Sequence, residues 1–188
     1  SGTVNSTVDG KHFPGTVSNG VANVNLTGLS AGFKDAEVKF TSTDRYNGNA
    51  NASSKFNVVP NNSLITVRDH KSVYTVGEDI EIKFVAFNST GNLDIYINGK
   101  YIKTLNPNPD VEHTVSFDNL PVGDYTITAV LAGSQNYTGF TTQTSFEVVK
   151  NNVTISVSDT TAPAVIVVGT PVVFTAKLNE TVTGDVIF

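Results

Sequence analysis

One block of residues recurs in this chain, and its spacing limits the fold more than any other feature. Leu120-Pro121-Val122-Gly123-Asp124-Tyr125, Asn136-Tyr137 and Thr144 to Lys150 echo Leu29-Ser30-Ala31-Gly32, Arg45-Tyr46-Asn47-Gly48 and Ser54 to Val59. Gly32 and Gly123 stand 91 positions apart, as do Tyr46 and Tyr137, while Phe56 and Phe146 stand 90 apart. Upstream, Asp9-Gly10-Lys11 matches Asn98-Gly99-Lys100 at a separation of 89. Leu64-Ile65-Thr66-Val67 matches Thr154-Ile155-Ser156-Val157 at 90, and Val76-Gly77 matches Val168-Gly169 at 92. The offsets change only where loops are expected, so one unit of about ninety residues is repeated in tandem.

The repeat sets the boundaries. Residues 61–150 form one whole unit, residues 1–60 match only its second half, and residues 151–188 match only its first part. Gly2 and Gly184 both correspond to Gly91. Two explanations stay open. The chain is a segment of a longer array whose units are stabilised by neighbours, or partial units are completed between chains by strand addition. The second would cover the edges that half a sandwich leaves unpaired.

Within the whole unit Tyr125, Ile127, Ala129 and Leu131 alternate with Asp124, Thr126, Thr128 and Val130. A period of two marks a strand with one face on a core and the other in water. Its entrance, Leu-x-x-Gly-x-Tyr, has the spacing of an immunoglobulin-type corner, in which the tyrosine hydroxyl bonds back to upstream backbone. Gly123 and Tyr125 are therefore read as structural corner residues. In the first unit Lys34 holds the place of Tyr125, with Phe33 one residue earlier, so the corner bond is in doubt there.

The same alternation predicts strands over Thr3–Val8, Val21–Leu26, Leu64–Val67, Asp79–Phe87, Asn92–Ile97, Lys100–Leu105, Val111–Phe117, Asp124–Leu131 and Thr142–Val149. Ala132 to Gly139 is a hairpin loop rich in turn formers. Asp9-Gly10 and Asn98-Gly99 suit type I′ turns, whose central residues need positive φ. Asn106 to Asp110, with two prolines, cannot continue a ladder. Pro60-Asn61-Asn62-Ser63 reads as a short, stiff joint. In the last segment Ile155 and Val157 pair with Phe174, Ala176 and Leu178, and Val186-Ile187-Phe188 reads as an apolar strand without a partner. Thr, Ser, Asn, Gly and Val dominate, which favours strands and turns over helices. The expected fold class is all-β, as tandem immunoglobulin-like β-sandwich repeats.

Chemistry is sparse. The chain has no cysteine, methionine or tryptophan, which removes disulfides, thiolate nucleophiles and Cys-based zinc sites. A net charge of -5 without a basic stripe lacks the phosphate-neutralising footprint of a nucleic-acid binder. No apolar run is long enough for a spanning helix. His12, His70 and His113 are far apart, at no metal spacing, and read as solvated surface residues. Glu78, Asp79 and Glu81 read as a wet strand entrance rather than an acid/base pair, since alternation turns Glu81 outward. Catalysis is therefore not expected. Asp69, Asp118 and Asp159 near unit ends offer oxygen ligands for Ca²⁺ at a joint, though without the dense spacing of a dedicated loop. For an internal Lys–Asn crosslink, Lys83 points outward, and Lys100 and Lys11 are poor candidates because a buried amine is costly.

Asn-x-Ser/Thr is the denser signal. It occurs at Asn5, Asn25, Asn51, Asn61, Asn88, Asn136, Asn152 and Asn179, and these are the N-glycosylation candidates. An Asn-, Ser- and Thr-rich composition accounts for part of that number.

The run from Leu120 to Ala129, Asn136-Tyr137, Thr144 to Lys150, Val76-Gly77-Glu78 and the Asn98-Gly99-Lys100 turn together resemble the Ig-like repeats of adhesin-like surface proteins of methanogenic archaea. The resemblance covers the chain as half, whole and half repeat, on scaffold motifs. It implies large, secreted proteins displayed at the cell envelope and N-glycosylated. The expected function is a stalk or fibre segment with stiff joints and ladders that resist extension, spacing or mediating cell contact. Its partners would be neighbouring repeats of the same or an adjacent chain and surface glycans or proteins of other cells. The alternatives are a carbohydrate- or protein-binding module acting through end loops such as Asn106–Asp110 or Gly133–Gly139, an accessory segment of an enzyme, and a filament subunit whose partial sandwiches are completed by neighbouring chains.

Overall fold

The computed structural model describes residues 2–43, 45, 48–106, 108–159, 165–181 and 183–187. Tyr46 and Phe188, both singled out in the sequence, lie outside the described residues. Every regular element among the described residues is a β-strand. They are β1 (Gly2–Val8), β2 (Lys11–Val17), β3 (Gly32–Ser42), β4 (Ala50–Val58), β5 (Leu64–Arg68), β6 (Val73–Thr75), β7 (Ile80–Phe87), β8 (Leu93–Ile97), β9 (Lys100–Leu105), β10 (Glu112–Phe117), β11 (Gly123–Leu131), β12 (Phe140–Val149), β13 (Ile155–Asp159) and β14 (Phe174–Leu178).

Residues 64–149 form two sheets, ordered β10-β7-β5 and β6-β12-β11-β8-β9. They face each other across one core, and alternation fills it. Ile80, Ile82 and Phe84 of β7, with Ile65 and Val115, meet Leu93, Ile95, Ile127, Ala129, Leu131, Phe146 and Val148 of the opposite sheet. Burial of so many β-branched and aromatic side chains is what holds a sandwich together. At its rim Gly91 is required by close approach, since a Cβ there would lie 2.2 Å from the carbonyl oxygen of Ala132.

β6 was not foreseen. It runs parallel to β12, pairing Val73 with Glu147, Tyr74 with Val148 and Thr75 with Val149. Three residues are too few for a period of two to register. The chain then crosses to the other sheet through Gly77, at φ 84°.

Residues 2–58 form one sheet, β2-β1-β3-β4. Position for position this is the order β9-β8-β11-β12 of the larger central sheet. The Asp9-Gly10 turn has φ 50° and 75°, and Asn98-Gly99 has 47° and 78°, as type I′ turns require. The strand expected at Val21–Leu26 is corrected: the second strand is β2, paired with β1 from Lys11↔Val8 to Val17↔Gly2. Pro14 and Gly15 hide β2 from a periodicity reading, yet an edge strand tolerates a proline whose missing N–H faces no partner. Residues 22–27 lie outside any ladder, although Ala22, Val24 and Leu26 are half-buried. The methyl Cγ2 of Val24 sits 2.9 Å from where a Cβ on Gly15 would be, so this segment lies over part of the sheet.

β13 and β14 form an antiparallel hairpin with Ile155↔Leu178, Val157↔Ala176 and Asp159↔Phe174 in register. Val186 and Ile187 are not a strand, and Ile187 is 94% exposed. A strand exists only as part of a ladder, and none is offered to them.

Candidate interaction surfaces

The titratable groups are tied into local structure. Lys71 pairs with Glu78, whose second oxygen accepts from the Thr75 N–H at 3.1 Å. The Lys71 hydrogen bond, then the Thr75 N–H, hold the Glu78 carboxyl below the ordinary glutamate value, and the Glu78 hydrogen bond raises Lys71. Lys83 Nζ bridges Asp69 at 3.2 Å and Glu112 at 3.3 Å, and these bonds raise it. Asp69 is thereby engaged by a cation of the chain itself. Among the described residues no three His, Cys, Asp or Glu side chains stand together as a metal would need.

Two of the three histidines are not solvated surface residues. His12 is exposed. His70 is half-buried, with Nε2 2.7 Å from Thr144 Oγ1 and Nδ1 3.1 Å from the Lys71 carbonyl. His113 is half-buried at the end of β10, with Nε2 enclosed and unpartnered. His113 lies on a strand and His70 in the connection from β5 to β6, and their burial follows from packing of neighbouring elements, which base rates for histidine cannot reveal.

The corner is built as its spacing implies. Gly123 has φ 155°, the Tyr125 hydroxyl donates to the Pro121 carbonyl at 2.8 Å, and the ring stacks on Phe146 with centroids 5.4 Å apart. Lys34 faces Phe56 across the β3–β4 ladder as Tyr125 faces Phe146. Its side chain is only 6% exposed, and Nζ donates to Asp9 Oδ2 at 2.5 Å and Ser30 Oγ at 3.0 Å. Displaced from that role, Phe33 is 89% exposed.

The candidate acceptor asparagines Asn5, Asn25, Asn51, Asn61, Asn88, Asn136, Asn152 and Asn179 are all exposed. Some of them also hold backbone. Asn88 Nδ2 donates to the Asn62 carbonyl and Asn179 Nδ2 to the Asn152 carbonyl, each at 3.2 Å. Asn179 Oδ1 accepts from the Thr154 N–H at 2.7 Å, and Asn61 Oδ1 from the Asn62 N–H at 2.9 Å.

Asn136 reaches further. Its Oδ1 accepts from the Ala31 N–H at 2.8 Å, and Gln135 Nε2 donates to the Ala31 carbonyl at 3.3 Å. The Asn61 N–H donates to the Asn136 carbonyl and the Thr138 N–H to the Asn61 carbonyl, both at 2.9 Å. The Ser63 N–H donates to Thr138 Oγ1 at 3.1 Å. The loop from Gly133 to Gly139 thus clasps both the joint at residues 61–63 and the corner of the first sheet.

Two apolar faces are left partly open. On the first sheet Phe40, Phe56 and Val58 are half-buried and Ala50 and Ala52 exposed, all pointing to the side that the central sheet uses for its core. On the β13–β14 hairpin Ile155, Val157 and Phe174 are 53%, 56% and 56% exposed. Apolar positions of this kind, grouped on one face, mark surfaces that something covers.

No protein-family model matches the chain, and a comparison with curated proteins finds no match. Among solved structures it is similar to the Bacteroides ovatus mixed-linkage glucan utilization locus protein SGBP-B in complex with a mixed-linkage heptasaccharide. The identity is 17% over 89% of this chain, with a TM-score of 0.29. The chain spans 43% of the length of that protein. A likeness this distant carries nothing about what the chain binds.

Proposed function

We propose that this chain is a structural segment of a secreted, cell-surface adhesin-like protein, in which immunoglobulin-like sandwiches of about ninety residues follow one another and hold other parts of the protein away from the cell. Residues 61–150 are one complete repeat, residues 1–60 the closing part of a repeat, and residues 151–188 the opening part of another. The observation that carries the reading is the shared strand order of β2-β1-β3-β4 and β9-β8-β11-β12, joined by the Asn136–Ala31 clasp. The clasp also argues against recognition through the loop at Gly133–Gly139, because its polar groups are used to fix one unit on the next. Exposed Asn-x-Ser/Thr sites fit a glycosylated outer surface.

Probing a glycan array with the full chain tests this. A structural segment binds none of the sugars, whereas saturable binding abolished by substitutions in Asn106–Asp110 or Gly133–Gly139 overturns it in favour of a carbohydrate-binding module. Intact-mass measurement on the native protein is the companion test, with hexose-sized increments at the exposed asparagines expected.

A further inference from the structure

We propose that Asn19-Gly20 is a self-modifying site, at which the folded chain releases the Asn19 amide as ammonia and becomes an aspartyl or isoaspartyl turn with one more negative charge. This chemistry is independent of how the repeated units are arranged.

The reaction needs an asparagine followed by a residue that leaves room at its own nitrogen. Hydroxide takes the Gly20 amide proton, the nitrogen attacks Asn19 Cγ, and a C–N bond closes a cyclic imide. Nδ2 takes up a proton from water and departs as ammonia. Water then opens the ring. Addition at the former side-chain carbonyl gives aspartate, and addition at the Asn19 main-chain carbonyl gives isoaspartate. Nothing is oxidised or reduced, and solvent supplies the one co-reactant. Glycine suits the step because it has no Cβ beside the attacking nitrogen, and no atom lies within 4 Å of where a Cβ on Gly20 would stand.

Asn98-Gly99 is the built-in comparison. The two pairs take the same left-handed turn, with φ 52° and 79° at Asn19-Gly20 and 47° and 78° at Asn98-Gly99, and both asparagines are exposed. The hold on the side chain differs. Asn98 Nδ2 donates to the Asp124 carbonyl at 3.1 Å and Oδ1 accepts from the Thr126 N–H at 2.8 Å. Its own N–H donates to the Thr126 carbonyl at 2.8 Å. Cγ of Asn98 is thus pinned to β11 and cannot swing onto the Gly99 nitrogen without breaking both side-chain bonds. The Asn19 side chain has no hydrogen-bond partner among the described residues. Its turn is closed by an isolated bridge, with the Ser18 and Val21 N–H groups donating to each other's carbonyls at 2.9 and 3.0 Å. Local opening of such a turn is easier than opening a ladder. In a third pair, Asn47-Gly48, Asn47 lies outside the described residues.

Isoaspartate routes the main chain through Cβ and Cγ, adding an atom to a two-residue turn whose geometry is fixed by its length. The Ser18–Val21 bridge is then lost, while the β1–β2 ladder, which ends at Val17, is kept.

The full chain is incubated at mildly alkaline pH, folded and in urea, and digested at intervals for mass spectrometry with fragmentation that separates aspartate from isoaspartate. In the folded chain the amide-to-acid mass change is expected at Asn19 at least about tenfold faster than at Asn98, which two hydrogen bonds restrain. In urea the two rates should converge. Asn98 converting as fast as Asn19 in the folded chain overturns the proposal, as does a folded Asn19 that stays intact after the unfolded chain has converted at both sites. A gap between the sites that persists in urea also overturns it, because the fold would then not be its cause.

Discussion

The side-chain oxygen of Asn136 accepts the backbone N–H of Ala31 at 2.8 Å, across a separation of 105 residues. One bond of this kind is worth about 1 kcal/mol, and here it ties the first sheet to the loop after β11 rather than acting within the core of the central sandwich. Asn136→Ala is expected to raise amide exchange at Ala31 by roughly fivefold while leaving the urea midpoint of the central sandwich in place. Unchanged protection at Ala31 would show that the clasp does not need this side chain.

Lys34 and Asp9 give a second test. Breaking a pair by neutralising one member leaves the other desolvated, whereas removing the buried member does not. Asp9→Asn keeps a residue suited to φ 50° and an amide oxygen that can accept from Lys34 Nζ, but leaves the buried ammonium without a counter-charge. It should cost about 1–3 kcal/mol, more than Lys34→Met, which fills the same space with an apolar chain. Denaturant unfolding of the two variants side by side decides the order.

Tyr125→Phe removes only the hydroxyl bonded to Pro121 and keeps the ring against Phe146, for an expected loss of about 0.5–1.5 kcal/mol. Tyr125→Ala also forfeits the stacked contact and should cost clearly more. Equal losses would mean that the ring contributes nothing.

Phe84 is 1% exposed at the centre of the sandwich. Phe84→Ala removes its contacts and leaves a cavity, so a loss of about 3–5 kcal/mol is expected, read from the denaturant midpoint of residues packed between the two central sheets.

Glu78 provides a pH test. Lys71 and the Thr75 N–H hold its carboxyl below 4.5, so its contribution is present above the unfolded value and is lost as pH falls through the folded one. Lys71, raised above 10.5, contributes below that value and loses its contribution as pH rises through the folded one. Glu78→Gln should therefore lower the urea midpoint slightly at about pH 7, by an amount that shrinks as pH falls below 4.5 towards the lowered folded value. The pair is solvent-facing, so added salt should shrink the difference.

Long alternating segments made the central sandwich legible: Ile80, Ile82, Phe84, Ile127 and Leu131 are buried where a period of two places them. The Asp9-Gly10 and Asn98-Gly99 turns were legible because their φ requirement is local. What escaped was decided by neighbours. β2 is a strand despite Pro14 because it sits at an edge, and Val21–Leu26 is none because no ladder reaches it. Tyr74 is 4% exposed on a strand of only three residues. Lys34 could be aligned with Tyr125, but its burial depends on Asp9, which the turn brings to it from another strand. The clasp at Asn136 joins residues so distant in sequence that no motif spacing signals it.

The parallel course of β6 and β12 has a mechanical consequence. Drawing the two ends of the central sandwich in opposite directions slides Val73-Tyr74-Thr75 along Glu147-Val148-Val149 in shear, so the bonds from the Glu147 N–H to Ser72 and from the Val76 N–H to Val149 strain together. An antiparallel strand in that place would peel away one bond at a time under the same tension. Three residues at the margin of the sheet thus share, with β5, the load that a tug on the tether puts on the sandwich.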